Sequence, residues 1–419
     1  MNIPGNSDSI DQEKFIWTLL IMSTAYIAVG INVQGFMAML PLVSEDFQIS
    51  GTQAGLYATF FFFSGTLLAI TSGRVVDRIG AKKSLVGATL LIAILMFSHT
   101  LIPVFSIILF LAFLTGIGFS IITPAINKGV INLVPPEKRA VSIGIAQAGG
   151  GIGGILGASL LPFAGNIYGW RNALLIAAGV AMLMALVLAV FYKPQNKKNT
   201  RVTERLKVPS GSFKEDFKKL ITNPVLIFIC LMGLAFGFTM GNMTIHYTLF
   251  LTGDVELTPA LAGFALSSFM FGGIVGQPSM GYLNDRFFSS NRRLGLTILG
   301  GTSSLMFFII GTIVYSGVLV YGSILVVSVI FGIFALAIPG LVFTTIGDVV
   351  DDKLIGTATG VTLVFIRTGV VVGPPLVGLI ADIRGNYRVS WLLLSLSVFI
   401  LTIVFFIGTK KYKSKLFGG

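Results

Sequence analysis

Cysteine is nearly absent. The one copy, Cys230, lies inside an apolar run, so no intrachain disulfide can form. Histidine is almost as scarce, with only His99 and His246. The chain has no His-Glu-x-x-His, no Gly-x-Ser-x-Gly and no cysteine cluster, so neither an enzyme motif nor a metal site is read and no cofactor is expected. Gly149-x-Gly151-x-x-Gly154 fits a dinucleotide pattern, but it sits in an apolar helix with no preceding strand. Those glycines suit a tight helix crossing instead.

Charge is the second scarcity. Charged residues make up 11% of the chain and hydrophobic ones 54%. All seventeen Asp and Glu fall in loops, tails or helix ends, and none at the centre of an apolar run. A buried carboxylate relay of the kind many proton-coupled carriers use is therefore missing.

What the chain does have is apolar runs of membrane length from end to end. Twelve spans are expected at 15–40, 52–73, 84–103, 105–132, 139–164, 171–192, 224–250, 259–284, 293–316, 318–348, 354–381 and 388–409. The first run lacks a basic n-region and a cleavage site, so it reads as an uncleaved helix. A polar stretch at 193–222 separates an N-terminal bundle, 1–192, from a C-terminal one, 223–419. Pro194 to Gly211 reads as a flexible basic linker. Ser212 to Leu220 reads as a short helix that lays Phe213, Phe217 and Leu220 on the membrane surface, or as a solvated loop.

With both termini on the cytoplasmic side, 24 Lys and Arg lie in inner segments and three, Arg171, Arg384 and Arg388, in outer loops. The net charge of +12 is thus topogenic and lipid-facing, and no nucleic-acid partner is expected.

The two bundles repeat one another. Gly73-x-x-x-Asp77-Arg78-x-Gly80-x-Lys82-Lys83 returns as Gly281-x-x-x-Asp285-Arg286, followed by Arg292 and Arg293. A shift of 208 pairs Gly73, Asp77 and Arg78 with Gly281, Asp285 and Arg286, and a shift of 216 pairs Gly116, Gly144, Gly153 and Gly157 with Gly332, Gly360, Gly369 and Gly373. Each half has an even number of spans, so the repeats are parallel.

Two six-helix halves, a long central loop and this motif after the second span resemble the major facilitator superfamily. The resemblance implies an all-α membrane protein, two pseudo-symmetric six-helix bundles that rock to open a central site to one side at a time. It also implies a gate at Gly73, Asp77, Arg78, Gly80, Lys82 and Lys83, with Gly281, Asp285 and Arg286 as the second copy. Gly73 would allow close helix approach. Asp77 would accept from the N-terminus of the eleventh helix.

Arg367 lies about 13 residues, ~20 Å, into the eleventh span, where a guanidinium costs at least ~2.5 kcal/mol. No carboxylate lies at that depth, so Arg367 is expected to anchor an anionic substrate, with a snorkelling side chain or a structural pair with backbone carbonyls as the other readings. Lys128, with Asn127 beside it, reads either as a pathway residue or as a side chain snorkelling to the cytoplasmic face. His246 and Asn242, one turn apart, read as cavity-lining. His246 is the candidate proton carrier, with a hydrogen-bonded packing histidine as the other reading. Gln34, paired with Asn242 by the 208 shift, Tyr26 and Gln147 complete the candidate binding residues.

The expected function is secondary transport of a small organic anion, a mono- or dicarboxylate, by a monomer in the cytoplasmic membrane. The coupled partner would be a proton or an exchanged anion. Some organic-anion carriers of the superfamily, oxalate/formate exchangers among them, also place a basic residue in the eleventh helix. Nitrate and organophosphate carriers use paired arginines, whereas here Gly151 stands where the 216 shift puts the partner of Arg367. The chain also lacks the Gly-Pro-x-x-Gly-Gly signature of drug/proton antiporters. An exporter of hydrophobic compounds, suggested by Phe60 to Phe63, and a non-transporting receptor or scaffold are the alternatives.

Overall fold

The structure, a computed structural model, describes residues 7–134, 138–192, 213–287, 291–313 and 320–411. Within them the chain forms sixteen α-helices, one described 3-10 turn at Asp352–Leu354 and no strand. In order these are α1 (Ser7–Ala38), α2 (Leu40–Phe47), α3 (Gly51–Leu67), α4 (Ala69–Ile79), α5 (Ala81–Leu101), α6 (Phe105–Leu133), α7 (Arg139–Tyr168) and α8 (Trp170–Phe191). They continue as α9 (Phe213–Ile221), α10 (Pro224–Gly253), α11 (Pro259–Phe287), α12 (Arg292–Ile313), α13 (Tyr321–Ala335), α14 (Ile338–Val349), α15 (Ile355–Arg384) and α16 (Arg388–Lys410).

Eleven helical runs are long and apolar enough to cross a membrane, and α3 with α4, bent by 59°, makes a twelfth. The tenth span is broken between α13 and α14. Pro339 has no N–H to offer the Ala335 carbonyl four residues back, so α13 stops at Ala335. At the start of α10, the Asn223 side-chain oxygen accepts from the N–H groups of Val225, at 3.0 Å, and Leu226, at 3.4 Å. Pro224 opens the helix where an N–H would be orphaned anyway.

The chain divides into two compact units, Met1–Phe47 with Phe60–Arg201, and Gln48–Thr59 with Val202–Gly419. The N-terminal part of α3 therefore belongs to the second unit. The basic linker, Pro194 to Gly211, lies outside the described residues. In α9, Leu220 is not on a membrane surface: it is buried in a cluster with Val225, Leu226 and Ile346. Phe217 is exposed, and the Phe213 side chain lies outside the described part.

Lipid tails are as apolar as leucine, so membrane helices associate through close backbone approach. The repeated glycines supply it at matching places. A methyl group added at Gly116 of α6 would overlap the carbonyl of Phe61 on α3, and one at Gly332 of α13 the carbonyl of Phe269 on α11. Likewise Gly153 of α7 lies against Ile27 of α1, and Gly369 of α15 against Leu234 and Phe238 of α10. In α7 the crossing rests on Gly149, Gly150, Gly153 and Gly157.

Gly73 corrects an expectation. Nothing among the described residues lies within 4 Å of a methyl group placed there, so it makes no close approach in this structure. The same is true of Gly281. In the first motif Gly80 is the glycine that the backbone requires, with φ at 89° between α4 and α5.

Candidate functional site

The second unit is organised around the proline pair in α15. Pro374 and Pro375 donate no N–H to the carbonyls of Val370 and Val371. Thr59 Oγ1 donates to the freed Val371 oxygen at 2.6 Å. One turn before Thr59, Gly55 lies directly against the Pro374 backbone, and one turn before that Gly51 meets Gly378. The α3 start is then capped: Asp382 Oδ1 accepts from Gly51 N–H at 2.7 Å and Oδ2 from Thr52 N–H at 2.9 Å. Oδ2 also accepts from the Thr52 hydroxyl.

A carboxylate on orphaned N–H groups at a helix start is favoured by both hydrogen bonding and the helix dipole. Asp382→Ala is expected to cost roughly 1 kcal/mol, the usual loss on removing such a cap. Thermal unfolding of the purified protein beside Asp382→Asn, which keeps one acceptor oxygen, measures it.

Arg367 lies on the same stripe of α15. Residues 367, 371, 374, 378 and 382 recur at spacings of four and three, so they share one helix face. The outer four positions meet α3, and Arg367 is one turn beyond the last of these contacts. It is the thirteenth residue of the helix, about 18 Å from its start, and is half-buried.

His246 and Asn242 lie on α10 where it packs against α15. His246 is fully buried. Its Nε2–H donates to the Pro374 carbonyl at 2.7 Å, and Nδ1 accepts from the Tyr387 hydroxyl at 3.2 Å. Tyr387 is itself held by its N–H donating to Asp254 at 2.7 Å. Of the two readings of His246, this geometry is that of a packing histidine. Asn242 donates from Nδ2 to Phe238 O at 2.8 Å, leaving its Oδ1 buried with no partner.

In the first unit, Gln147 of α7 donates to Asn127 of α6 at 2.9 Å, so these two candidates are brought together. The Tyr26 ring lies over Gly150 and near Phe119, with ring centroids 6.3 Å apart. Gln34 Oε1 and its repeat partner Asn242 Oδ1 are both buried without a partner, as are Asn32 Oδ1 and Asn284 Oδ1.

Lys128 is placed elsewhere. Its ammonium donates to Asp77 Oδ1 at 3.0 Å and to the carbonyls of Val76 and Asp77 at 3.0 and 3.2 Å. Lys128 thus reaches the end of α4 and belongs with the motif rather than with Asn127. Arg78, Lys82 and Lys83 lie at the same end. In the second motif copy Arg286 donates to the Tyr282 hydroxyl at 2.8 Å, while Asp285 is exposed. Arg292 pairs with Asp348 at 3.0 Å, and Arg293 donates to Phe406 O and stacks on its ring.

Asp382, Thr59 and Tyr387 were not evident as functional positions in the sequence. The signal that was available is the Pro374-Pro375 pair, which frees two carbonyls and so calls for an outside donor.

Comparison with known proteins agrees with this architecture. The chain is 22% identical to the hexuronate transporter of Bacillus subtilis (strain 168) over 357 residues, 84% of this chain and 85% of the other. It is 25% identical to multidrug resistance protein 2 of the same organism over 389 residues, 90% and 92% of the two chains. A crystal structure of a bacterial homologue of the human lysosomal transporter Spinster, inward-facing and unoccupied, superposes with a TM-score of 0.78 at 16% identity. That match covers 96% of this chain and 98% of the other. The family model described as Major Facilitator Superfamily matches residues 22–253 and 238–418. The chain is a multi-pass membrane transporter belonging to the Major Facilitator Superfamily.

Proposed function

We propose that the protein carries a small organic anion, a mono- or dicarboxylate, by rocker-switch alternating access, with Arg367 as the anion anchor. The observation that carries this reading is the position of Arg367. It sits deep in α15, on the stripe that α3 covers, one turn past the last α3 contact. A guanidinium at such depth is costly, and carriers keep ionisable groups there on substrate pathways. Its fork of donors fits a carboxylate bidentately. The unused amide oxygen of Asn242, in the same unit as Arg367, suits a hydroxyl donor on the substrate. The hexuronate relative carries a hydroxylated carboxylate by its name, which supports the same class.

The surroundings of His246 support an anion-exchange reading of the coupling. Both of its ring nitrogens are engaged in a buried packing site, and the sequence places no carboxylate at a span centre. We therefore read the cycle as exchange of one anion for another rather than proton symport. Asp77 and the Lys128 pair, with the Asp382 cap on α3, are the proposed gates. The charge bias supports a cytoplasmic position for the motif copies and both termini in the plasma membrane.

A panel of radiolabelled mono- and dicarboxylates in proteoliposomes tests the reading. Saturable counterflow of an anion is expected, changing less than about twofold between pH ~6 and ~8, the range over which a free histidine would titrate. The multidrug relative and the Phe60 to Phe63 run favour an exporter of hydrophobic compounds as the second reading. Efflux of a hydrophobic cation with no anion counterflow would select it.

A further inference from the structure

The motif end of the first unit contains a cavity that the transport cycle above does not use. Its volume is about 350 Å³. It is lined by Lys82 and Lys83 at the start of α5, Lys128 and Asn132 of α6, and Tyr192 just past α8. Gly80, with its φ of 89°, also lines it and opens α5 without a side-chain cap. The first N–H groups of α5 therefore start at the cavity wall with no capping side chain.

Tyr192 gives the cavity its chemistry. The residue is 2% exposed, and its hydroxyl has no hydrogen-bond partner among the described residues. The residue lines the cavity, so that hydroxyl is open to a ligand there. A phenol is an O–H donor at neutral pH. Lys82 is half-buried, Lys83 is exposed, and neither forms an ion pair with a described carboxylate. Two lysines without a described ion-pair partner, Lys128 and the Tyr192 phenol thus line one cavity.

We propose that this cavity binds a phosphate group, held by Tyr192, Lys82, Lys83 and Lys128 at the N-terminus of α5. A helix start with lysines beside it is suited to a phosphate oxyanion, and the single buried hydroxyl supplies a directed hydrogen bond. Lys128 ties this site to the motif. Its ammonium lies 3.0 Å from Asp77 Oδ1, with the two side chains 29% and 76% exposed. An exposed pair of this kind is weak. A phosphate in the cavity competes with Asp77 for the Lys128 ammonium, and Asp77 is released when it wins. Phosphate binding thereby regulates the motif. The same chemistry is offered by a phospholipid headgroup and by free phosphate.

The test is binding by the purified full-length protein in a neutral detergent, measured by calorimetry in three arms. These are dioctanoyl phosphatidylglycerol, inorganic phosphate, and dioctanoylglycerol, which has the same acyl chains without phosphate. Saturable binding in the first or second arm and none in the third is expected. The lipid arm alone identifies a headgroup site, and the phosphate arm a free-anion site. Tyr192→Phe, which keeps the ring, is expected to weaken binding about tenfold, the loss of one hydrogen bond to a charged group. Lys82→Gln with Lys83→Gln is expected to abolish it. No phosphate-dependent binding by the wild type, or equal affinity in all variants, overturns the proposal.

Discussion

In the Arg367→Ala variant, kcat/KM for anion counterflow is expected to fall by roughly 30- to 5000-fold. That range corresponds to the ~2–5 kcal/mol lost when one partner of a buried, hydrogen-bonded charge pair is removed. Arg367→Lys keeps the charge but loses the planar fork, so it should retain intermediate activity with a raised KM. Folding does not confound the comparison. On the insertion scale, removing a central arginine favours the span by at least ~2.5 kcal/mol, so the alanine variant should reach the membrane. Expression and thermal unfolding beside the wild type establish that point. The order wild type, lysine, alanine in counterflow is the signature of an anion anchor. Unchanged counterflow in a folded alanine variant would remove Arg367 from the site and with it the reason for an anionic substrate. Loss of activity in both variants to the same degree would point to a structural role for the guanidinium on α15.

Twelve spans and their order were legible because each is a long apolar run, and hydrophobic length is the property a bilayer selects. The two-fold repeat was legible because glycines stay in register where backbones touch. What could not be read is contact between groups without a sequence signature. Asp382 lies one residue past the expected end of its span, so it counts as one more charge at a helix end. Its partners are backbone N–H groups 331 and 330 residues away. Lys128 illustrates a different limit. Its depth fitted both a pathway residue and a snorkelling one, and its bonds to the α4 carbonyls have no signature in the sequence. Composition also cannot separate packing glycines from open ones. Gly144 and Gly360 match in the same register as Gly116 and Gly332, yet a methyl group at either would meet nothing within 4 Å.

That difference yields the second large effect. Gly116→Val and Gly332→Val place carbon where the carbonyls of Phe61 and Phe269 stand, and these are helix backbone, which cannot rotate away as a side chain could. Each helix pair must separate along its whole crossing to admit the change. Overpacking typically costs ~1–3 kcal/mol per site, and a β-branched residue against backbone belongs at the upper end. Marginal stabilities of about 5–15 kcal/mol leave little reserve for two such losses, so the double variant is expected to fail to accumulate as folded protein. Gly144→Ala and Gly360→Ala, chosen by the same repeat, should instead be neutral or stabilising by up to ~1 kcal/mol, because alanine is the better helix former. Size-exclusion profiles and thermal unfolding of the four single variants measure the contrast. Equal tolerance at all four positions would mean that glycine in this repeat records composition alone. A loss confined to Gly116 and Gly332 would show that the two halves are built on one backbone-to-backbone contact used twice.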